Sequence, residues 1–291
     1  MKVTGFSIVR NAIKFDYPIL EAIQSVLPLC DEFVVAVGNS EDDTLALIKS
    51  IDSDKIRIIE TVWDDSLRAG GQVLAVETNK ALAAISPDTD WAFYIQGDEV
   101  LHERYLPVVR QAMEQYLDHP QVEGLLFNYL HFYGSYRYVG DSPQWYRREI
   151  RIIRYSDNVT AYRDAQGFRT KDNKKLHVKL IDAYIYHYGW VKPPEVQKTK
   201  LAATQRFWND DQQIMQARQT LDHFDYGTID ALAEFKDAQP AIMQPRINAQ
   251  NWQFDFNIRE KKYSLKNRFK TFIERITGWR MGEYRNYKLL R

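Results

Sequence analysis

The chain is short of the features that mark secreted or membrane proteins. Its 291 residues include one cysteine, Cys30, which excludes an intrachain disulfide and fits a reducing compartment. No apolar run approaches the roughly 20 residues that span a bilayer. Met1 to Gly5 leads straight into a strand pattern instead of a signal peptide, so a cytoplasmic protein is expected. No G-x-G-x-x-G follows the first strand, which argues against a redox dinucleotide enzyme. The formal net charge is zero. No nucleic-acid motif accompanies the basic residues, so nucleic acid is not an expected partner. There is no internal repeat and no low-complexity segment.

What is present points to one large α/β domain with an extension. Hydrophobic residues make up 45%, enough for a sizeable core, and the 18 tyrosines suit surfaces that stack on rings. Charge is unevenly placed. From Ile258 to Arg291 basic residues outnumber acidic ones by 8, so the remainder is acidic by the same amount.

Buried strand patterns alternate with helical ones through the first hundred residues. Strands are read at 5–9, 33–37, 56–60 and 91–95, and helices from Pro18, over 45–51 and over 72–85. Continuous apolar strands alternating with helices predict a parallel sheet covered on both faces. Each strand ends in polar groups: Arg10-Asn11, Asn39-Ser40-Asp42, Asp64-Asp65, and Gly97-Asp98-Glu99 after Trp91 to Ile95. Parallel neighbours bring such ends to one edge, where ligands collect in open α/β sheets. Asp98 and Glu99 there are hard oxygen ligands suited to Mg²⁺ or Mn²⁺, which neutralise phosphates.

Later the pattern changes. A helix is expected over 106–117, a long aromatic strand over 122–138, and strands over 150–154 and 179–188. Residues 164–175 read as a polar loop, about 195–235 as helical, and 238–257 as a linker. The expected organisation is a domain over 1–235, with a nucleotide-sugar half to about 105, and a basic helical extension over 236–291. In that extension Phe269, Phe272, Ile273, Ile276 and Trp279 share one helical face among Lys266, Arg268, Lys270 and Arg275. Such a helix either packs on its own domain or lies on an anionic membrane. His131 and His177 have no partner at metal-ligand spacing and read as structural.

Together these residues resemble a bacterial family 2 glycosyltransferase with the GT-A fold, from about Thr4 to Lys192. The resemblance rests on Phe6-Ser7-Ile8-Val9-Arg10-Asn11, on Asp31-Glu32-Phe33-Val34-Val35 continuing to Gly38-Asn39-Ser40-Glu41-Asp42-Asp43-Thr44, and on Thr78-Asn79-Lys80-Ala81-Leu82. It also rests on Gln96-Gly97-Asp98-Glu99 in place of an acidic DxD, and on His187-Tyr188-Gly189-Trp190. It implies an inverting transfer from a nucleotide-diphosphate sugar, UDP by default, to a glycan or lipid-linked acceptor in surface polysaccharide or lipopolysaccharide synthesis.

The resemblance also implies roles. Val9, Asn11, Asn39 and Asp42 would hold base and ribose. Gln72 and Asn79 would line the donor pocket, and Asp98 with His187 would hold Mg²⁺ or Mn²⁺ at the diphosphate. Asp164 is the first choice for the catalytic base and Glu149 the second. Two departures stand out. Gln96 replaces the first acid of the DxD and adds no charge. Thr78 replaces an arginine, leaving Arg10 or Arg68 to face the phosphates. Two other readings stay open: a sugar-phosphate nucleotidyltransferase, which the glycine-free turn after the first strand disfavours, and a non-catalytic glycan- or membrane-binding adaptor.

Overall fold

The computed structural model describes residues 1–68, 70–208 and 224–291. Four strands form a parallel block: β1 (Val3–Val9), β2 (Glu32–Gly38), β3 (Ile56–Thr61) and β4 (Trp91–Tyr94), in the order β3-β2-β1-β4. The strands β1, β2 and β4 are buried almost throughout because helices cover both faces, whereas β3, at the edge, exposes Arg57 and Glu60. α1 (Ile19–Val26) and α4 (Leu106–Gln115) pack Ile19, Ile23, Val109 and Met113 against Phe33, Phe93 and Ile152. On the other face α3 (Gln72–Ala83) sets Ala81 and Leu82 with Phe6, Val34 and Tyr94. The short α2 (Thr44–Lys49) follows β2. The expected α/β architecture, a large sheet flanked by helices, is present.

Beyond β4 the sheet becomes mixed. The short β5 (Glu99–Leu101) leaves the turn after β4. β6 (Gly124–Tyr133) and β7 (Ser135–Gly140) are antiparallel neighbours, and β8 (Arg148–Arg154) inserts antiparallel between β4 and β6. The single strand expected over 122–138 is thus two strands broken at Gly134. That residue has φ +72°, and a Cβ on it would lie 2.3 Å from the Phe254 ring. The longest strand, β11 (His177–Trp190), runs parallel to β6. Its other edge takes β5 antiparallel, with His187 opposite Glu99.

Three further expectations change. The stretch 164–175, read as a loop, contains half of a hairpin formed by β9 (Val159–Tyr162) and β10 (Gly167–Thr170). Its polar residues hid it: Arg169 and Thr170 are buried in β10 although their side chains read as loop. The helical reading over 195–235 holds for α5 (Pro194–Thr204). Residues 209–223 lie outside the described residues, and β12 (Leu232–Glu234) is a strand paired with β7. The linker reading of 238–257 misses α6 (Gln244–Asn248).

The remainder of the chain folds back over the sheet. It contains α7 (Leu265–Thr277) and β13 (Lys288–Leu289), which pairs with the start of β11. Arg147 bonds Glu274 and Glu283, and Arg169 bonds Asn286.

Candidate active site

The turn between β4 and β5 is set by a buried ion pair. Glu99 is fully buried and accepts from Arg151 Nε and Nη2 at 2.8 Å each, from the Tyr129 hydroxyl at 2.8 Å and from the Gln96 backbone amide at 3.1 Å. Its oxygens are spent on these partners. Glu99 therefore does not join Asp98 as a metal ligand, and the adjacent pair splits into one buried anchor and one cleft carboxylate. Alternation explains the split: Glu99 begins a strand, so its side chain points to the face opposite that of its neighbour.

Asp98 meets His187 because β5 and β11 are paired. The Tyr188 amide donates to the Asp98 carbonyl at 2.7 Å, and His187 Nε2 lies 3.7 Å from Asp98 Oδ1. Gly189 leaves the space beside them open: a Cβ there would sit 2.7 Å from His187 Nε2 and 2.8 Å from Asp98 Oδ2. Lys200, from α5, places its ammonium 3.2 Å from Asp98 Oδ2 and 3.0 Å from the Gly189 carbonyl. Burial alone would raise the Asp98 carboxyl. The ammonium of Lys200 leads the charges that outweigh it, and Asp98 is held well below the usual carboxylate range.

The tautomer of His187 follows from its neighbour. His131 Nε2 lies 2.8 Å from the Tyr146 carbonyl and must donate to it. Burial pushes His131 down to about 3, so its ring is neutral and Nδ1 carries a lone pair. His187 Nδ1, 3.1 Å away, donates to that lone pair. In neutral His187 the Nε2 lone pair then faces the Asp98 carboxylate. An oxygen and a nitrogen donor converging on open space fit a divalent cation. Among the described residues no third His, Cys, Asp or Glu joins them.

These residues open on a cavity of about 490 Å³, within the range of small-molecule sites. Val9, Arg10, Asn11, Gln96 and Gly97 line it, with the rings of Tyr17 and Trp63 among its apolar walls. Arg10 and Arg206 share Asp65, at 2.8 and 3.3 Å, which leaves one positive charge in excess. The floor is pinned from the far end of the chain. Fully buried Lys192 donates to the Phe15 and Asp16 carbonyls at 3.0 and 3.2 Å, and Arg246 bonds Asp16 and Glu21. Burial, then the charge of Lys200, pushes the Lys192 ammonium well below its usual range.

Not every expected donor-site residue lies here. Asn39 Oδ1 accepts the Trp63 amide at 3.1 Å. Asp42 accepts the Lys14 amide at 2.7 Å, and also bonds Thr44. Both side chains staple loops, and neither lines the cavity. Asn11 does line it, although its Oδ1 is taken by the Glu41 amide at 2.7 Å. Gln72 and Asn79 border a separate cavity of about 710 Å³, where Asn79 Oδ1 also accepts the Ala161 amide at 2.8 Å.

The two cavities share Asp164 and Trp208. Asp164 sits at the tip of the β9–β10 hairpin between Arg163 and Ala165, which have φ of 55° and 58°. Two non-glycine residues in the left-handed region mark a strained tip. Gln96 donates to the Ala165 carbonyl at 3.4 Å, so the amide standing in the acidic motif touches the hairpin. Asp164 Oδ1 is buried without a hydrogen-bond partner, and burial raises its carboxyl. Glu149 lines neither cavity. Its unpartnered Oε2 lies near Gly167, and burial pushes it up to about 8, so it is a protonated interior acid rather than a cleft base.

Sequence reasoning missed Lys200, Lys192, Arg151 and His131. His131 and His187 occupy paired positions on neighbouring strands, a proximity that their separation in sequence conceals. Lys200 lies on a helix with no distinctive pattern, and no sequence signal marks it.

No family model matches the chain, and no curated protein matches it. Among solved structures it is similar to S. aureus TarS 1–349 in complex with UDP, at 19% identity over 46% of this chain and 37% of that one, with a TM-score of 0.33. It is also similar to S. aureus TarS 1–349, at 14% identity over 70% and 64% with a TM-score of 0.38. A third is glucosyl-3-phosphoglycerate synthase from Mycobacterium tuberculosis in complex with Mn²⁺, UDP and glucosyl-3-phosphoglycerate, at 20% identity over 46% and 45% with a TM-score of 0.30. In each case the match spans less than two thirds of the other chain, and likenesses of this size do not identify acting residues.

Proposed function

We propose that the protein is an inverting glycosyltransferase of the family 2 type, moving a sugar from a nucleoside-diphosphate sugar to an acceptor hydroxyl. One observation carries the reading: Asp164, with its unpartnered Oδ1, forms part of the wall between a cavity holding Asp98, His187 and the cations Arg10, Lys200 and Arg206 and a second, polar cavity. The first cavity suits a nucleotide diphosphate, with base and ribose against Val9 and Tyr17 and the diphosphate toward Lys200. The second admits the acceptor. Asp164 Oδ1 takes the acceptor proton as its oxygen bonds to the anomeric carbon and the diphosphate leaves with the electron pair. A carboxyl raised by burial is the stronger base. Asp98 Oδ1 and His187 Nε2 would hold Mg²⁺ or Mn²⁺, which supplies Lewis-acid stabilisation of the leaving diphosphate.

A second reading follows from Lys200. Its ammonium already lies on Asp98, and it would be the cation at the diphosphate without any metal. One experiment separates the two. Thermal unfolding is followed with UDP, GDP, dTDP or CMP, each with Mn²⁺, Mg²⁺ or chelator, for the wild type and for Asp98→Asn and Asp164→Asn. A nucleotide at 100 times its Kd stabilises by about 2.7 kcal/mol. Stabilisation that needs metal, is lost in Asp98→Asn and survives in Asp164→Asn supports the first reading. Stabilisation unaffected by chelator supports the second. No nucleotide effect on folded protein overturns both.

A further inference from the structure

The helix α7 is mounted with its polar side against the domain and its apolar side outward. Glu274, its one carboxylate, is held by Arg147 at 3.0 Å and by Arg280 at 3.0 Å, and Thr271 Oγ1 is buried. The opposite side presents Leu265, Phe269, Phe272 and Ile276, exposed by 84%, 55%, 59% and 66%, and continues to Trp279 at 53%. An amphipathic helix that packed on its own domain would bury this stripe. Ile273 alone of the expected apolar face is half-buried. Contiguous exposed apolar surface of this kind marks an interaction site.

We propose that this face docks on an anionic lipid surface, with α7 lying in the plane of the interface. Charge selects the occupant. The exposed residues flanking the stripe are Lys266 on one side and Arg268 and Arg275 on the other, with no carboxylate among them. A second copy laid along the same stripe would bring these cations face to face without a neutralising acid. Anionic headgroups neutralise them while the stripe enters the acyl boundary. The contact is peripheral, since no described helix is long and apolar enough to cross a membrane. The inference stands on α7 alone and does not depend on the proposed catalytic activity.

The test is sedimentation of the full chain with sucrose-loaded vesicles of phosphatidylcholine, with and without phosphatidylglycerol. Phe272→Ser/Ile276→Ser removes apolar contact, and Lys266→Gln/Arg268→Gln/Arg275→Gln removes charge. All these side chains are exposed, so the variants keep the fold, as circular dichroism would verify. The expected result is binding to anionic vesicles that weakens with salt and falls roughly tenfold or more in each variant. Absence of binding, or equal binding by the serine variant, overturns the proposal. So does a concentration-dependent dimer in sedimentation velocity that Phe272→Ser/Ile276→Ser dissociates, because a second copy would then cover the face.

Discussion

Replacing Glu149 by glutamine tests whether a carboxyl is held protonated inside the sheet. Glu149 is 7% exposed, its Oε2 has no partner, and burial sets its folded-state value at about 8 against an ordinary 4.5. Arg151 opposes the rise, whereas Glu99 and Asp164 add to it. The folded pKa lies above the unfolded one, so between them the folded chain keeps a proton that the unfolded chain has released. Stability therefore falls as pH rises through this window, by ~1.4 kcal/mol per pH unit. Between pH 5 and pH 8 the loss is on the order of 4 kcal/mol. Glutamine does not titrate and preserves the shape. The assay is urea unfolding of both proteins, followed by tryptophan fluorescence at several pH values and constant ionic strength. Subtracting the two stability curves removes every other titrating group, and the difference should decline toward high pH. Parallel curves, within about 0.5 kcal/mol from pH 5 to pH 8, would refute the reasoning, since a wet or ionised Glu149 gives no slope.

Two further outcomes follow from the same interior. Arg151→Met leaves Glu99 charged and unpaired in the core, and should cost about 3–5 kcal/mol in urea unfolding, while Glu99→Gln/Arg151→Met should recover much of it. A cost below about 1 kcal/mol would mean that the pair is hydrated. His131→Phe removes the acceptor that fixes the His187 tautomer. It should weaken Mn²⁺ binding roughly 10- to 100-fold, read by electron paramagnetic resonance of free Mn²⁺ without nucleotide. Unchanged Mn²⁺ affinity would detach His131 from the site.

The parallel half of the fold was legible because its signal is local. Each strand from Val3 to Tyr94 is a short, mostly apolar run, and each is followed by polar residues that the parallel arrangement brings to one edge. The other half depends on pairings that sequence does not declare. β8 enters between β4 and β6, and the β9–β10 hairpin hides in polar residues such as Arg169 and Thr170, which are buried all the same. The site divides in the same way. Asp98 and His187 stand in recognisable stretches beside a turn and a strand end. Glu99 shares the Asp98 turn, yet its partner Arg151 is 52 residues away, and only that partner reveals its structural role. Asn39 and Asp42 sit in the expected loop, but a side chain's acceptor can serve the backbone as readily as a ligand, and composition does not distinguish the two.

The pinned floor of the first cavity has a kinetic meaning. Lys192 reaches back 177 positions to the Phe15 carbonyl, and Arg246 reaches back 230 to the Asp16 carboxylate. During synthesis β1 through β4 can pair long before either cation has left the ribosome, since local contacts form first and distant ones close the largest loops. The nucleotide-facing edge of the sheet thus exists early while its floor stays untethered. The cavity reaches its final shape only when the last fifth of the chain folds back over it.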